Sequence, residues 1–322
     1  MFGSPTGTGK SLSLICSSLK WLRDHEKQSE IDELQSALSK LEKIPILPKE
    51  PLWIRTQTIE KQKKVVFETI RIKRERRDRL NTKLKAIRTA NSGTQESKRQ
   101  KIVGLQELVI RNDYMLESYE SDGDNYNEKR RLGIENELVE SDDEDIPPSI
   151  QIIYSSRTHS QLAQFVHELK KTNYADARCV TLGSRRNLCI HDKVLELKSN
   201  TRINDACKDL QSGPESARCP YLLKNSSQLQ EFADQTHAVI RDIEELSVLG
   251  RKTRTCSYYG SRESVKNAEI ICVPYNILLN EFTREASGLK IEGNIVIIDE
   301  AHNVSDSITS IHSVCLEEKQ VT

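Results

Sequence analysis

The eight cysteines of this 322-residue chain never form a C-x-x-C pair. That removes the tight knuckle of most structural zinc sites and of thiol redox motifs. Their scatter suggests no disulfide framework, so a reducing compartment, cytosol or nucleus, is expected. No run of 18 or more apolar residues occurs, and a membrane span is therefore not expected. Only Met1 and Phe2 precede Gly3, too little for a secretory leader. There is no internal repeat, and no excess of either charge, with 48 Lys and Arg against 48 Asp and Glu.

That balance hides a strong asymmetry. Residues 61–88 hold 12 Lys and Arg against 3 Asp and Glu, and residues 111–145 hold 4 against 13. Such blocks belong to solvated or disordered segments rather than to a core. Residues 1–22 form a loop and a helix with periodic Leu12, Leu14, Ile15, Leu19 and Leu22. Residues 23–148 read as a charged insertion, helical over 31–41 and 58–88 on either side of IPILPKEP (44–51), and disordered in its outer half. From residue 149 onward strands and helices alternate. IQIIYSS (150–156), RCVTLGS (178–184), AEIICVPY (268–275) and NIVIIDEA (294–301) read as strands. SQLAQFVHELKK (160–171) and a segment from Pro274 with Ile277, Leu278 and Phe282 apolar read as helices. This alternation predicts an α/β fold with a parallel sheet, whose buried strands are continuously apolar.

Ser4-Pro5-Thr6-Gly7-Thr8-Gly9-Lys10-Ser11 ends like a phosphate-binding loop, although Ser4 stands where G-x-x-x-x-G-K-[ST] has its first glycine. The groups that matter are present. Gly7 and Gly9 let backbone N–H groups converge on phosphate, Lys10 supplies charge for the β- and γ-phosphates, and the Ser11 hydroxyl can ligate Mg²⁺. Far along the chain, Asp299-Glu300-Ala301-His302 follows the apolar run 295–298. A carboxylate there can hold Mg²⁺ opposite Ser11, Glu300 can polarise the attacking water, and His302 can sense the γ-phosphate. A glycine-rich turn and an acidic turn are the bland alternatives, and their joint occurrence argues against both.

Tyr154 to Gln161 (YSSRTHSQ) follows a strand and opens a helix. Hydroxyls and N–H groups at a helix start suit phosphate, and Arg157 adds charge. Cys189, Cys207, Cys219 and Cys256 are spaced C-x17-C-x11-C-x36-C in polar or aromatic settings. Four thiolates can hold zinc or an iron–sulfur cluster, and the spacing leaves both open. Cys16, Cys179, Cys272 and Cys315 read as small buried apolar residues.

SPTGTGKS and VIIDEAH resemble the DEAH subgroup of superfamily-two helicases, and YSSRTHSQ looks like that family's motif Ia. With the four cysteines, the chain resembles the XPD-like iron–sulfur helicases. LGSRRNLC (182–189), CPYLL (219–223), CSYYGSR (256–262), VPYNILL (273–279), VIIDEAHN (296–303) and EPLW (50–53) resemble the chromosome-loss helicase branch. The resemblance covers residues 3–22 and 150–313 well and the insertion loosely. It implies a P-loop RecA-like lobe in three pieces (1–22, 149–184 and 263–322), with the charged insertion at 23–148 and an iron–sulfur domain at 185–262. It implies an ATP-driven motor moving 5′ to 3′ on single-stranded or forked DNA in the nucleus, in repair, replication and cohesion, with replication or cohesion proteins as partners. Lys10, Ser11, Asp299, Glu300 and His302 would serve ATP and Mg²⁺. The four cysteines would hold a 4Fe-4S cluster, and Ser155, Arg157 and Thr158 would grip DNA backbone. Arg185 would support the cluster domain or touch DNA, and Tyr258 and Tyr259 would stack on bases or pack around the cluster. The strand feeding the loop, the second lobe with its arginine finger and the arch domain are not within residues 1–322. The chain alone is therefore expected to bind nucleotide weakly and not to unwind DNA.

Two other classes stay in view: a non-catalytic truncated paralogue that binds DNA or proteins, and a zinc-stapled P-loop protein. KRERRDR (73–79) and SKRQK (97–101) suit nuclear import, DNA contact or simply a solvated helix, and Ser141 before Asp142 resembles an acidophilic kinase site.

Overall fold

The computed structural model describes residues 10–42, 52–92, 150–214, 217–222 and 226–313. The phosphate-loop residues Ser4 to Gly9, the IPILPKEP segment, SKRQK, Ser141 and Cys315 lie outside the described residues. The chain divides into two compact units, residues 1–86 and 87–322.

In the first unit the chain departs from the sequence expectation. The loop helix and the helix expected at 31–41 are one helix, α1 (Lys10–Glu42). No glycine or proline interrupts it before Pro45, so nothing forces a stop. The next helix, α2 (Leu52–Ser92), begins directly after Pro51. Ile15, Leu19 and Leu22 are buried, while Leu12 and Leu14 are exposed at 44% and 41%, so the buried stripe is narrower than the pattern suggested. Cys16 is half-buried. Glu30 of α1 accepts from Arg77 at 2.6 Å and Arg74 at 3.0 Å of α2. Burial pushes its carboxyl up, but the two guanidinium groups outweigh this and hold it below its ordinary value. Part of KRERRDR is thus engaged in ion pairs along a helix.

The second unit carries a four-stranded, wholly parallel sheet. Its strands are β1 (Ile152–Ser156), β2 (Cys179–Thr181), β3 (Ile270–Pro274) and β4 (Ile295–Ile298), in the order β2-β3-β1-β4. β1 sits between β3 and β4, pairing Tyr154 with Cys272 on one side and Ile297 on the other. Strands β1, β2 and β3 are buried throughout. β4 is only half-buried, with Ile298 38% exposed, whereas β2 at the opposite edge is covered. One apolar cluster joins Ile153, Val180, Ile271 and Val273 to Ile277, Leu278 and Leu289.

Between β1 and β2 runs α3 (His159–Lys170). Between β2 and β3 lies a helical region: α4 (Arg185–Leu188), α5 (Asp192–Leu195), α6 (Asn200–Ser212), α7 (Ser226–Ala238), α8 (Ile243–Thr253) and α9 (Ser257–Glu263). It has its own apolar cluster of Leu188, Phe232, Ile243, Leu246, Leu249 and Tyr258. After β3 come α10 (Tyr275–Leu279), α11 (Glu281–Ala286) and, beyond β4, α12 (Val304–His312). The single helix expected from Pro274 is broken at Asn280, whose side chain accepts from Thr283 N at 3.1 Å and caps a new helix. Phe282, on the helix after the break, is 75% exposed, while Ile277 and Leu278 before it are buried.

Candidate functional site

The DEAH turn is built at the carboxyl end of the sheet, where parallel α/β sheets place their ligands. Asp299 N donates to Ser155 O at 2.8 Å, extending the β1–β4 ladder by one residue. Its carboxylate accepts from the Tyr154 hydroxyl at 2.9 Å, and its carbonyl accepts from the Tyr275 hydroxyl. Burial first, then the charges of Asp299 and Glu300, push Tyr275 up to about 12, so its phenol keeps the proton it donates. Tyr154 is 1% exposed and stacks on Phe165 of α3, ring centroids 3.6 Å apart.

Glu300 sits at φ 52°, ψ 44°, the left-handed region that non-glycine residues seldom occupy. Its carboxylate lies 3.3 Å from His302 Nδ1, and its carbonyl accepts from Asn303 Nδ2 at 3.3 Å. Asn303 also accepts from Arg157 Nη1 at 3.1 Å, joining the segment after β1 to the turn after β4. The side chains of Lys10 and Ser11 are outside the described residues, and the backbone of both lies at the start of α1.

The YSSRTHSQ residues divide by role. Thr158 is the N-cap of α3 in a capping box, its hydroxyl accepting from Gln161 N at 3.3 Å and its N–H donating to Gln161 Oε1 at 3.2 Å. Ser155 is wholly buried in β1, and its Oγ has no hydrogen-bond partner among the described residues. Arg157 is half-buried and reaches Asn303.

Cys189, Cys207, Cys219 and Cys256 all belong to the helical region between β2 and β3 and are all half-buried. Cys189 ends α4, Cys207 lies within α6, Cys219 follows α6, and Cys256 precedes α9. Burial pushes the Cys189, Cys219 and Cys256 thiols up, Cys256 to about 12, and the charge of Cys207 adds to each. Cys207 is therefore within electrostatic reach of the other three. Opposing this, N–H groups point at the sulfurs: His191 at Cys189, Tyr221 and Leu222 at Cys219, and Tyr258 and Tyr259 at Cys256. Among the described residues no three Cys, His, Asp or Glu side chains gather closely enough to hold one metal ion.

Arg185 is 1% exposed, its guanidinium 4.4 Å from the Tyr258 ring centre, and it donates to Tyr259 OH at 3.1 Å. Arg262 lies 3.4 Å from the centre of the same ring. Tyr258, 1% exposed, presents no open face to solvent, whereas Tyr259 is half-buried and meets Tyr258 edge-on. Sequence reasoning missed Tyr154, Tyr275 and Gln211. The usable signal for Tyr154 was a phenol inside an otherwise aliphatic buried strand, where its hydroxyl must find a partner.

The described residues of the second unit form an α/β arrangement with a wholly parallel sheet and an acidic turn at its carboxyl end. The DEAD_2 family model matches residues 154–321, more than half of the chain, and the chain belongs to that family. It is 36% identical to the ATP-dependent DNA helicase chl1 of Schizosaccharomyces pombe, over all of this chain and 41% of that protein. It is 36% identical to the ATP-dependent DNA helicase DDX11 of Danio rerio and 32% to that of Homo sapiens, covering 97% and 98% of this chain and 39% and 38% of theirs. The chain thus spans about two fifths of the length of these relatives. A solved structure of truncated XPD aligns with 49% of this chain and 42% of its own at 16% identity and a TM-score of 0.30.

Proposed function

We propose that this chain is the ATP-binding lobe of an ATP-dependent DNA helicase that moves 5′ to 3′ on single-stranded or forked DNA in the nucleus, in repair, replication and cohesion. The observation that carries the reading is Asp299 at the end of β4, with its carboxylate fixed by Tyr154 and its carbonyl by Tyr275. A carboxylate held in that place suits a Mg²⁺–nucleotide, with Glu300 orienting water and His302 beside it. The chemistry of Lys10 and Ser11 suits the phosphates and Mg²⁺ of such a nucleotide. Ser4, Pro5, Thr6, Gly7, Thr8 and Gly9 would wrap the phosphates. Arg157 is the residue best placed to touch DNA backbone, while Thr158 serves through the helix it caps. The whole buried side chain of Ser155 leaves it a backbone role.

We further propose that Cys189, Cys207, Cys219 and Cys256 hold a 4Fe-4S cluster. A neutral thiol gains little from N–H donors, whereas a thiolate gains much, and three of the four sulfurs receive them. A cubane also holds its sulfurs further apart than one tetrahedral ion does. Arg185 is buried beside Tyr258 and Tyr259. A cluster with four thiolates is net anionic, a neighbour that suits a buried guanidinium. In this reading Arg185, Tyr258 and Tyr259 pack around the cluster rather than against bases.

Anaerobic purification tests the proposal. A brown protein with about four irons per chain supports the cluster. Colourless protein with stoichiometric zinc supports the zinc-stapled alternative and sinks it. ATP binding that Lys10→Ala leaves unchanged would favour a non-catalytic module that only holds DNA or proteins.

A further inference from the structure

We infer that Gln211 donates a hydrogen bond to the Cys207 sulfur and thereby tunes the reduction potential of the cluster. This deepens the cluster reading above and rests on it. Gln211 lies one helical turn after Cys207 on α6, at i+4, so both side chains share a face. It is 6% exposed. Its Nε2 donates to Cys207 Sγ at 3.3 Å and to Tyr259 OH at 2.7 Å. The same phenol oxygen accepts from Arg185 Nη2 at 3.1 Å. The Tyr259 hydroxyl oxygen thus accepts from both Arg185 and Gln211, and Gln211 also donates to one sulfur.

Gln211 Oε1 is buried and has no hydrogen-bond partner among the described residues. Both donated bonds leave from the one nitrogen, Nε2. A thiolate holding a cluster would accept that N–H more strongly than a neutral thiol does.

An N–H···S bond withdraws charge from the ligand sulfur and favours the reduced, more negative cluster. Gln211→Leu keeps the side chain's bulk and removes the donor. In a redox titration of the loaded chain followed by electron paramagnetic resonance, its reduced-to-oxidised ratio at a fixed potential should fall about tenfold, about 59 mV for a one-electron couple. Gln211→Glu, which sets a carboxylate beside the sulfur, should fall at least as far. A Leu variant with full iron and an unchanged potential overturns the inference. If the variants fail to fold, wild-type protein labelled with ¹⁵N at the glutamine side-chain amide decides it. Pulsed resonance of the reduced cluster should then show a coupled ¹⁵N, and its absence overturns the inference. A wild-type chain without iron overturns the cluster reading and this inference together, which separates the two failures.

Discussion

The Tyr154 hydroxyl donates to the Asp299 carboxylate at 2.9 Å across neighbouring parallel strands. The contact exists because β1 and β4 pair in a register that sets Tyr154 opposite Ile297, two residues before Asp299. The ring of Tyr154 is fixed by Phe165 of the helix that Thr158 caps. One side chain therefore connects the middle of α3 to the carboxylate proposed to hold Mg²⁺.

Tyr154→Phe should leave the ring stack intact and remove the hydrogen bond. Bonds to charged groups contribute roughly 1.5–3 kcal/mol. Part of that should appear as poorer positioning of Asp299, weakening Mg²⁺–ATP binding about tenfold, at 1.4 kcal/mol per decade. Titration of a fluorescent ATP analogue at graded Mg²⁺ measures it. An altered melting temperature with unaltered Mg²⁺ dependence would mean that Tyr154 only supports the fold.

Arg88, near the end of α2, caps the carboxyl end of another helix. Its Nε donates to Ala238 O at 2.7 Å, and its Nη2 donates to Asp176 O at 2.7 Å and His237 O at 3.5 Å. A cation at a helix C-terminus complements the carbonyls that have no partner within the helix. Arg88→Ala should cost about 2–3 kcal/mol in urea unfolding, from lost charged hydrogen bonds and orphaned carbonyls. Arg88→Lys should recover only part, since ammonium lacks the planar fork.

Much of this arrangement could be read from the residues. The four strands appear within the segments read as strands, three of them Ile-rich runs, and β1 and β3, buried throughout, show why such runs stand out. The DEAH turn stands out for the same reason, as charge abruptly following such a run. Helix boundaries were harder to see. The continuity of α1 depends on what is missing between Leu22 and Ile31, a breaker, rather than on any positive signal. The break at Asn280 depends on a side-chain cap that competes with helix continuation. The partners of Asp299 were hidden because strand order, β3-β1-β4, is a long-range property and periodicity is local. Gln211 could be placed one turn from Cys207, but only the fold brings Tyr259 to it.

Gly260 is a packing requirement of the cysteine region. A Cβ there would stand 2.7 Å from Phe232 Cε1 and 2.9 Å from Cγ, and Phe232 is fully buried. Gly260→Ala must push α9 away from α7 and should destabilise by about 1–3 kcal/mol. Because α9 follows Cys256 and carries Tyr258 and Tyr259, iron content should fall together with the melting temperature. Full iron with a lowered melting temperature would show that the packing and the cysteine cluster are independent.

His237 supplies an acid-sensitive step. It is 1% exposed, and burial first, then the charge of Arg178, push its pKa down from 6.5 to about 3. Above pH 6.5 the ring is neutral in folded and unfolded chains alike, and its contribution to stability is complete. Below that pH the unfolded chain takes up a proton that the folded chain refuses. Stability should then fall by about 1.4 kcal/mol per pH unit, continuing until the folded ring itself protonates near pH 3. His237→Gln retains a neutral polar side chain and removes the titration. Urea unfolding at steps between pH 7 and pH 5 should therefore show a shallower loss of stability in the variant, by one proton. Parallel curves for the variant and the wild type would assign the acid step to another group.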